Sequence, residues 1–408
     1  MDDSILFKSF FIGGFEASTH CRHADGRRLD LVSSTRHDRF VQQDYERLHS
    51  IGIQTARDGI RWHLIESTPG KYDWSSAVPM LRAARETKTQ VMWDLLHFGW
   101  PDHVDIFSAD FPERFARFAR AFMQVLAQET DETPFIAPIN EPSFLSFAAG
   151  EKGFFFPFAH NRGNEIKGQF ARGILAACAA VRDVAPQARL VHTDPVINVI
   201  ADPRRPWDRM QAERYRQSQF EVWDTIAGRS HPELGGDPKY LDVLGLNYYV
   251  HNQWMHDVGV LVPTHPHHLP FRYFLQEVHE RYGRPVFISE TGIEAEVRAD
   301  WLRYMGQEVR GALQLKVPVQ GLCLYPIVDH PGWEDDRHCP NGLWGYADEA
   351  GHRPAYEPLA DEIRRQQQLL ADFHGGEAWA EEAFEHGDWN VLNAAAHAMD
   401  ILTTRSRE

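Results

Sequence analysis

Two glutamates stand where short apolar runs stop. Phe135–Ile139 runs into Asn140-Glu141-Pro142, and Val286–Ile288 runs into Ser289-Glu290-Thr291-Gly292. A carboxyl group beside a buried run is costly unless it is paired or put to use. Either acid alone reads most plainly as a solvated loop residue. Taken together, at the ends of two similar runs, they suggest a working pair. Two carboxyls facing each other can divide nucleophilic and acid/base work at one bond. Cleavage of a glycosidic bond with retention needs such a pair about 5–5.5 Å apart. One attacks the anomeric carbon; the other protonates the departing oxygen and later deprotonates water.

Something must carry these acids to one place. β-Branched and aromatic runs predict strands at Phe10–Phe15, Ile53–Arg57, Gln90–Leu96, Phe135–Asn140, Ala188–Thr193, Val243–Asn247, Val286–Ser289 and Val319–Leu324. Helical periodicity predicts Arg36–Ser50, Ser75–Thr87, Pro112–Glu129, Lys167–Val184, Asp208–Ala227, Phe271–Tyr282, Arg298–Leu315 and Pro354–Leu370. In Pro112–Glu129, Phe115, Phe118, Phe122, Val125 and Leu126 share one face. Alternating strands and helices imply a parallel sheet with right-handed crossovers, and eight strands close a barrel. The fold class expected is α/β, a single (β/α)8 TIM barrel over residues 1–370. Residues 371–408 are expected to be a short C-terminal helical appendage, with Trp389–Leu402 as one more helix, packed on the barrel or a neighbouring subunit. An open doubly wound sheet for dinucleotides lacks its GxGxxG turn.

The formal net charge is −16, and 43% of residues are hydrophobic. That is enough apolar material for a large core. An acidic chain has no basic footprint for nucleic acid or an anionic membrane surface. Cys21, Cys178, Cys323 and Cys339 are scattered, with no metal or redox spacing. His265, His267 and His268 lie in a Pro-rich loop that reads as solvated, so no metal and no cofactor are expected. The acidic start lacks a secretory pattern, and no apolar run reaches the ~18 residues of a membrane span. A soluble cytoplasmic setting is expected, with a homo-oligomer compatible.

The landmarks resemble, in order, those of the β-glucosidases of glycoside hydrolase family 1, over roughly residues 7–357. Asn140-Glu141-Pro142 resembles that family's acid/base triplet. Ile288-Ser289-Glu290-Thr291-Gly292 resembles its nucleophile motif, with Thr291 where Asn is usual. Ala56-Arg57 through Trp62, Leu96-His97-Phe98 through Pro101, Gly245-Leu246-Asn247-Tyr248-Tyr249, and Tyr325 through Trp333 resemble its second-, third-, sixth- and eighth-strand segments. The resemblance implies Glu141 as acid/base and Glu290 as nucleophile. It also implies Arg57 and Tyr249 beside Glu290, and His97, Tyr325 and Trp333 around a sugar. There are departures. Tyr325 stands where the family has Trp, Gly332 where it has a hydroxyl-gripping Glu, and Glu16 and His20 where it has Thr and Gln.

On this reading Arg57 keeps Glu290 ionised, and Tyr249 holds its rotamer. Asn140 bonds the sugar 2-hydroxyl, with Asn247 supporting it. Glu141 holds its proton at rest through burial and the charge of Glu290. Glu16, His20 and Asp329 are further candidates for hydroxyl contacts. Trp100, Phe144, Trp254 and the run Phe154–Phe158 are candidates for lining the leaving-group side, or, for the run, a subunit contact. The function expected is a retaining β-glycosidase acting on small β-glycosides. The alternatives are a transglycosylase with the same pair and a barrel that binds carbohydrate without catalysis. Asp335-Asp336-Arg337-His338, of mixed charge, offers no clean phosphate site.

Overall fold

A computed structural model describes residues 6–373. The expected appendage at 371–408, and the helix at Trp389–Leu402 within it, lie outside these residues but for its first three. Eight parallel strands close a barrel: β1 Phe11–Gly14, β2 Thr55–Gly59, β3 Gln90–Asp94, β4 Phe135–Ala137, β5 Arg189–Pro195, β6 Val243–Asn247, β7 Val286–Thr291 and β8 Val319–Leu324. Each strand pairs with its chain neighbour, and β8 closes on β1. Around them run α1 His37–Ser50, α2 Val78–Thr87, α3 Phe111–Glu129, α4 Gly163–Val184, α5 Glu221–Ile226, α6 Arg272–Tyr282, α7 Arg298–Gln314 and α8 Glu357–Ala371.

Two cores follow from strand alternation. Ile12, Met92, Phe135, Val191, Val243, Phe287 and Cys323 fill the barrel interior, with the Phe7 ring 5.5 Å from Phe135 and 5.1 Å from Phe287. The opposite strand faces meet the helices. Helix α3 shows why: Phe111, Phe115, Phe118, Phe122 and Leu126 are buried on one stripe. Burial of each large ring contributes about 1.5–3 kcal/mol. Pro112 opens the helix where its missing N–H costs nothing, and Glu113 complements the helix dipole. Gly173 of α4 lets the Phe111 ring lie against the backbone, since a Cβ there would sit 3.0 Å from it.

Some boundaries differ from expectation. Strand β4 stops at Ala137, so Glu141 lies beyond it, whereas Glu290 lies inside β7. The helix expected over Asp208–Ala227 is broken into Arg209–Gln217, a 3-10 turn and α5. The cause is tertiary: the Gln219 side chain accepts from Ile197 N and donates to Ile197 O, which redirects the chain. Asn198–Ile200, Gln253–Met255 and Gly259–Val260 form an unexpected small sheet in the loops after β5 and β6. Among the described residues no helix is long and apolar enough to cross a membrane.

Candidate active site

Chemistry in a β/α barrel is placed at the C-terminal strand ends. There the inward positions of β2, β3, β5, β6 and β7 bring Arg57, Asp94, Thr193, Asn247 and Glu290 together. At the end of β7 the register against β6 shifts between Ile288 and Glu290. The irregularity turns two consecutive side chains inward, as bulges do. Ser289 Oγ donates to Asn247 Oδ1, and Glu290 receives Arg57 and Tyr249.

Arg57 is the hub and is fully buried. Its guanidinium grips Asp94 through two bonds of 3.1 and 2.8 Å. It also donates to Glu290 Oε1 at 2.7 Å and to Asn140 Oδ1 at 2.6 Å. Tyr325 lies beneath it, with the cation 5.3 Å from the ring centre. Tyr249 donates to the other oxygen of Glu290 at 2.8 Å. Both nucleophile-candidate oxygens are therefore fixed by donors.

Asp94 was not singled out by sequence. Its signal was an acid at the inward parity of an apolar strand, Val91-Met92-Trp93-Asp94. Burial opposes its ionisation, but Arg57 overcomes this and holds the carboxyl below its usual range. Asp94 also takes His97 Nδ1 at 2.9 Å. That leaves His97 Nε2 as the acceptor for Asn140 Nδ2 at 3.1 Å. Asn140 Oδ1 further accepts from Thr193 Oγ1 at 2.9 Å. Tyr325 stacks parallel to His97 and its hydroxyl lies 3.4 Å from Nε2.

Glu141 sits in a different setting. Its backbone adopts the left-handed conformation, φ 47° and ψ 56°, which is uncommon for a residue with a side chain. Its N–H donates to Thr193 O at 3.0 Å, and Asn247 Nδ2 donates to its Oε1 at 2.7 Å. Burial raises its pKa well above the usual carboxyl range, and the charge of Glu290 adds to that. Asn247 and Arg57 pull it back only in part. One acid is thus held by a cation and a phenol, the other by an amide.

Glu16, His20 and Trp333 border this network without a hydrogen bond into it. Glu16 accepts from Ser18 and stands 3.7 Å from His97. The His20 ring stacks on Phe155 at 3.8 Å, and Trp333 meets it edge-on at 5.3 Å. With Phe98 and Phe144 these form an aromatic cluster that joins the site through Phe98, whose ring lies 4.7 Å from that of His97. Both ring nitrogens of His20 and the indole nitrogen of Trp333 are buried without a hydrogen-bond partner. Burial, with His97 and Arg28, lowers the His20 pKa to about 3, so the ring is neutral. Asp329 ties its own loop through Gly342 N and His338 Nε2. In the Phe154–Phe158 run Phe155 joins the cluster and Phe156 packs on Trp100, so these two rings face inward. Trp100 donates to Val104 O in the core, and Trp254 packs on Tyr215. The loop of His265, His267 and His268 is less solvated than expected, because Gln253 Nε2 reaches His268 Nε2 at 3.0 Å. Among the described residues no cluster of three or more His, Cys, Asp or Glu has metal-binding geometry.

No family model matches the chain, and no curated protein sequence matches it significantly. Solved structures do. A β-glucosidase from Thermotoga maritima in complex with glucoimidazole is 16% identical with a TM-score of 0.72, over 89% of this chain and 98% of that one. A β-glycosidase from Pyrococcus horikoshii is 18% identical with a TM-score of 0.68, over 83% of this chain and 87% of that one. The AHE enzyme from Alicyclobacillus herbarius is 16% identical with a TM-score of 0.71, over 91% and 99%. The fold is that of the family 1 β-glucosidases. At such identities the likeness is one of fold, and the chemistry rests on the side chains.

Proposed function

We propose that the chain is a retaining β-glycosidase for small β-glycosides, with Glu290 as nucleophile and Glu141 as acid/base. One observation carries the reading: two buried carboxyls at one rim are held in opposite ways. Glu290 receives a donor on each oxygen, from Arg57 and Tyr249, as a carboxylate does. Glu141, buried and facing that charge, keeps its proton. Such divergent settings assign base and acid roles within a pair.

In the first step Glu290 bonds to the anomeric carbon as the glycosidic C–O bond breaks, and Glu141 protonates the leaving oxygen. The ester removes the charge of Glu290. One of the causes that held the proton on Glu141 thereby disappears, which suits Glu141 to take a proton from water in the second step. His97, Asn140 and Tyr325 border the place where the sugar ring sits. The unpaired nitrogens of His20 and Trp333 are donors or acceptors awaiting hydroxyls.

A panel of activated aryl β-glycosides tests this. Aryl release is expected with at least one sugar, and it is abolished in Glu290→Ala. Azide should rescue that variant with inverted stereochemistry at the anomeric carbon. No turnover across a panel that includes disaccharides would shift the reading to a carbohydrate-binding barrel. A second reading, transfer of the sugar to an alcohol or sugar acceptor, is favoured by the aromatic mouth, which suits apolar acceptors over water. New glycosides formed on adding alcohols would mark it.

A further inference from the structure

Asp194 is a buried acid that the mechanism above does not use. It sits near the end of β5, next to Thr193. Alternation turns Thr193 into the barrel and Asp194 outward, beneath the turn that follows Glu141. Its Oδ1 accepts from Ser143 N at 3.1 Å and its Oδ2 from Ser143 Oγ at 2.6 Å. Thr193 O accepts from Glu141 N. Two consecutive residues of β5 thus hold the strained backbone of Glu141 from either side.

An asparagine would supply the same anchor at lower cost, because its oxygen can accept from Ser143 N and its amide can donate to Ser143 Oγ. A buried carboxylate bonded only to neutral donors is unfavourable, so its presence calls for a reason beyond anchoring. The cation facing it, Lys167 of α4, is already bonded to Glu221 at 2.5 Å.

Resting on the function proposed above, we propose that Asp194 is a positioning residue acting through Glu141. It pins the turn that carries the acid and places a second carboxylate beside it, so that Glu141 keeps its proton as the pH rises. The charges facing Glu141 are Glu290 from β7, Arg57 from β2 and Asp194 from β5, with the Tyr249 phenol nearby. Burial pushes Asp194 itself up to about 7, against the pull of Ser143 and Lys167. Its negative charge therefore develops near neutrality, well above the pH at which an unaided carboxyl has already lost its proton.

Asp194→Asn keeps the anchor and removes the charge. The basic limb of the kcat/KM profile on a responsive aryl β-glycoside should move to lower pH by on the order of half a unit or more. The acidic limb should stay in place. A uniform loss at every pH, or an unmoved basic limb, would overturn the proposal. Carboxyl 13C NMR gives a readout that needs no turnover. The Glu141 midpoint should fall in Asp194→Asn, and an unchanged midpoint overturns the proposal even if the protein cleaves no glycoside. Absence of activity alone would count against the glycosidase reading and not against this one. If Asp194→Asn does not fold, Ser143→Ala is the substitute. Losing the Oγ donor should raise the Asp194 midpoint and shift that of Glu141 with it; two unmoved midpoints are the adverse result.

Discussion

Arg57 reaches Asp94, Glu290, Asn140, Thr193 and the carbonyl of Ser289 through its five N–H groups. Their fork matches a carboxylate bidentately, which a lysine cannot do. Arg57→Lys should keep the charge but lose the geometry, lowering kcat/KM by about 100-fold. Steady-state kinetics on an aryl glycoside would show it, and near-wild-type kinetics would demote Arg57 to a structural ion pair. Glu290→Ala should lose on the order of 10⁴-fold or more. Glu141→Gln should behave differently: it should still turn over substrates with good leaving groups, and azide should rescue it with retained stereochemistry. The proton of Glu141 also has a thermodynamic consequence. Its folded pKa lies above the unfolded value, so the folded state loses stability as pH rises between the two. Glu141→Gln should therefore be more stable than the wild type at pH 8, by about 0.5–2 kcal/mol in urea unfolding.

At the scale of elements, β2 is tied to the helix layer by a second buried polar group. Asp58 follows Arg57 but points outward, where His37 Nε2 meets it at 2.8 Å and Tyr45 donates at 2.7 Å. His37 Nδ1 bonds Asp44 at 2.8 Å, and Arg353 reaches Asp44 from the segment before α8. The Phe15 ring stacks on His37 at 3.8 Å. Burial alone would lower the His37 pKa, but Asp58 and Asp44 outweigh it and raise it from 6.5 to about 9. A raised histidine contributes stability that is fully present below pH 6.5 and is lost as pH rises through 9. The contribution is about 3 kcal/mol. His37→Gln should flatten the fall in unfolding free energy between pH 6 and pH 9.5. An unchanged slope would mean the imidazole is neutral when folded. Sequence made most of these elements legible, because apolar periodicity is local. The split helix before α5 was not legible, because its cause is a glutamine reaching Ile197 across the fold. The bulge in β7 was equally hidden, since register belongs to a pair of strands and not to one.

For the whole molecule, the net charge of −16 bears on substrate choice. The neutral His20 ring and the amides around the site offer hydroxyl partners, while Arg22 and Arg27 at the rim are already paired with Asp25 or Asp336. Neutral glycosides should be preferred over 6-phosphoglycosides by at least about 10-fold in kcat/KM, with the gap narrowing in salt. Equal turnover of the two would require a phosphate cradle not seen among the described residues. By itself the chain determined the eight barrel strands, the barrel they imply and the two glutamates that end their runs, because hydrophobic period and strand-end chemistry are written in neighbouring residues. Only the tertiary structure decided the company each acid keeps. Asp94, Thr193, Asp194 and Ser289 come from three strands far apart in the chain, and apart from the inward parity of Asp94 little in the neighbouring residues distinguishes them from other polar residues. Their importance arises when closure of the barrel strips water from all of them at once and leaves each group only its neighbours for solvation.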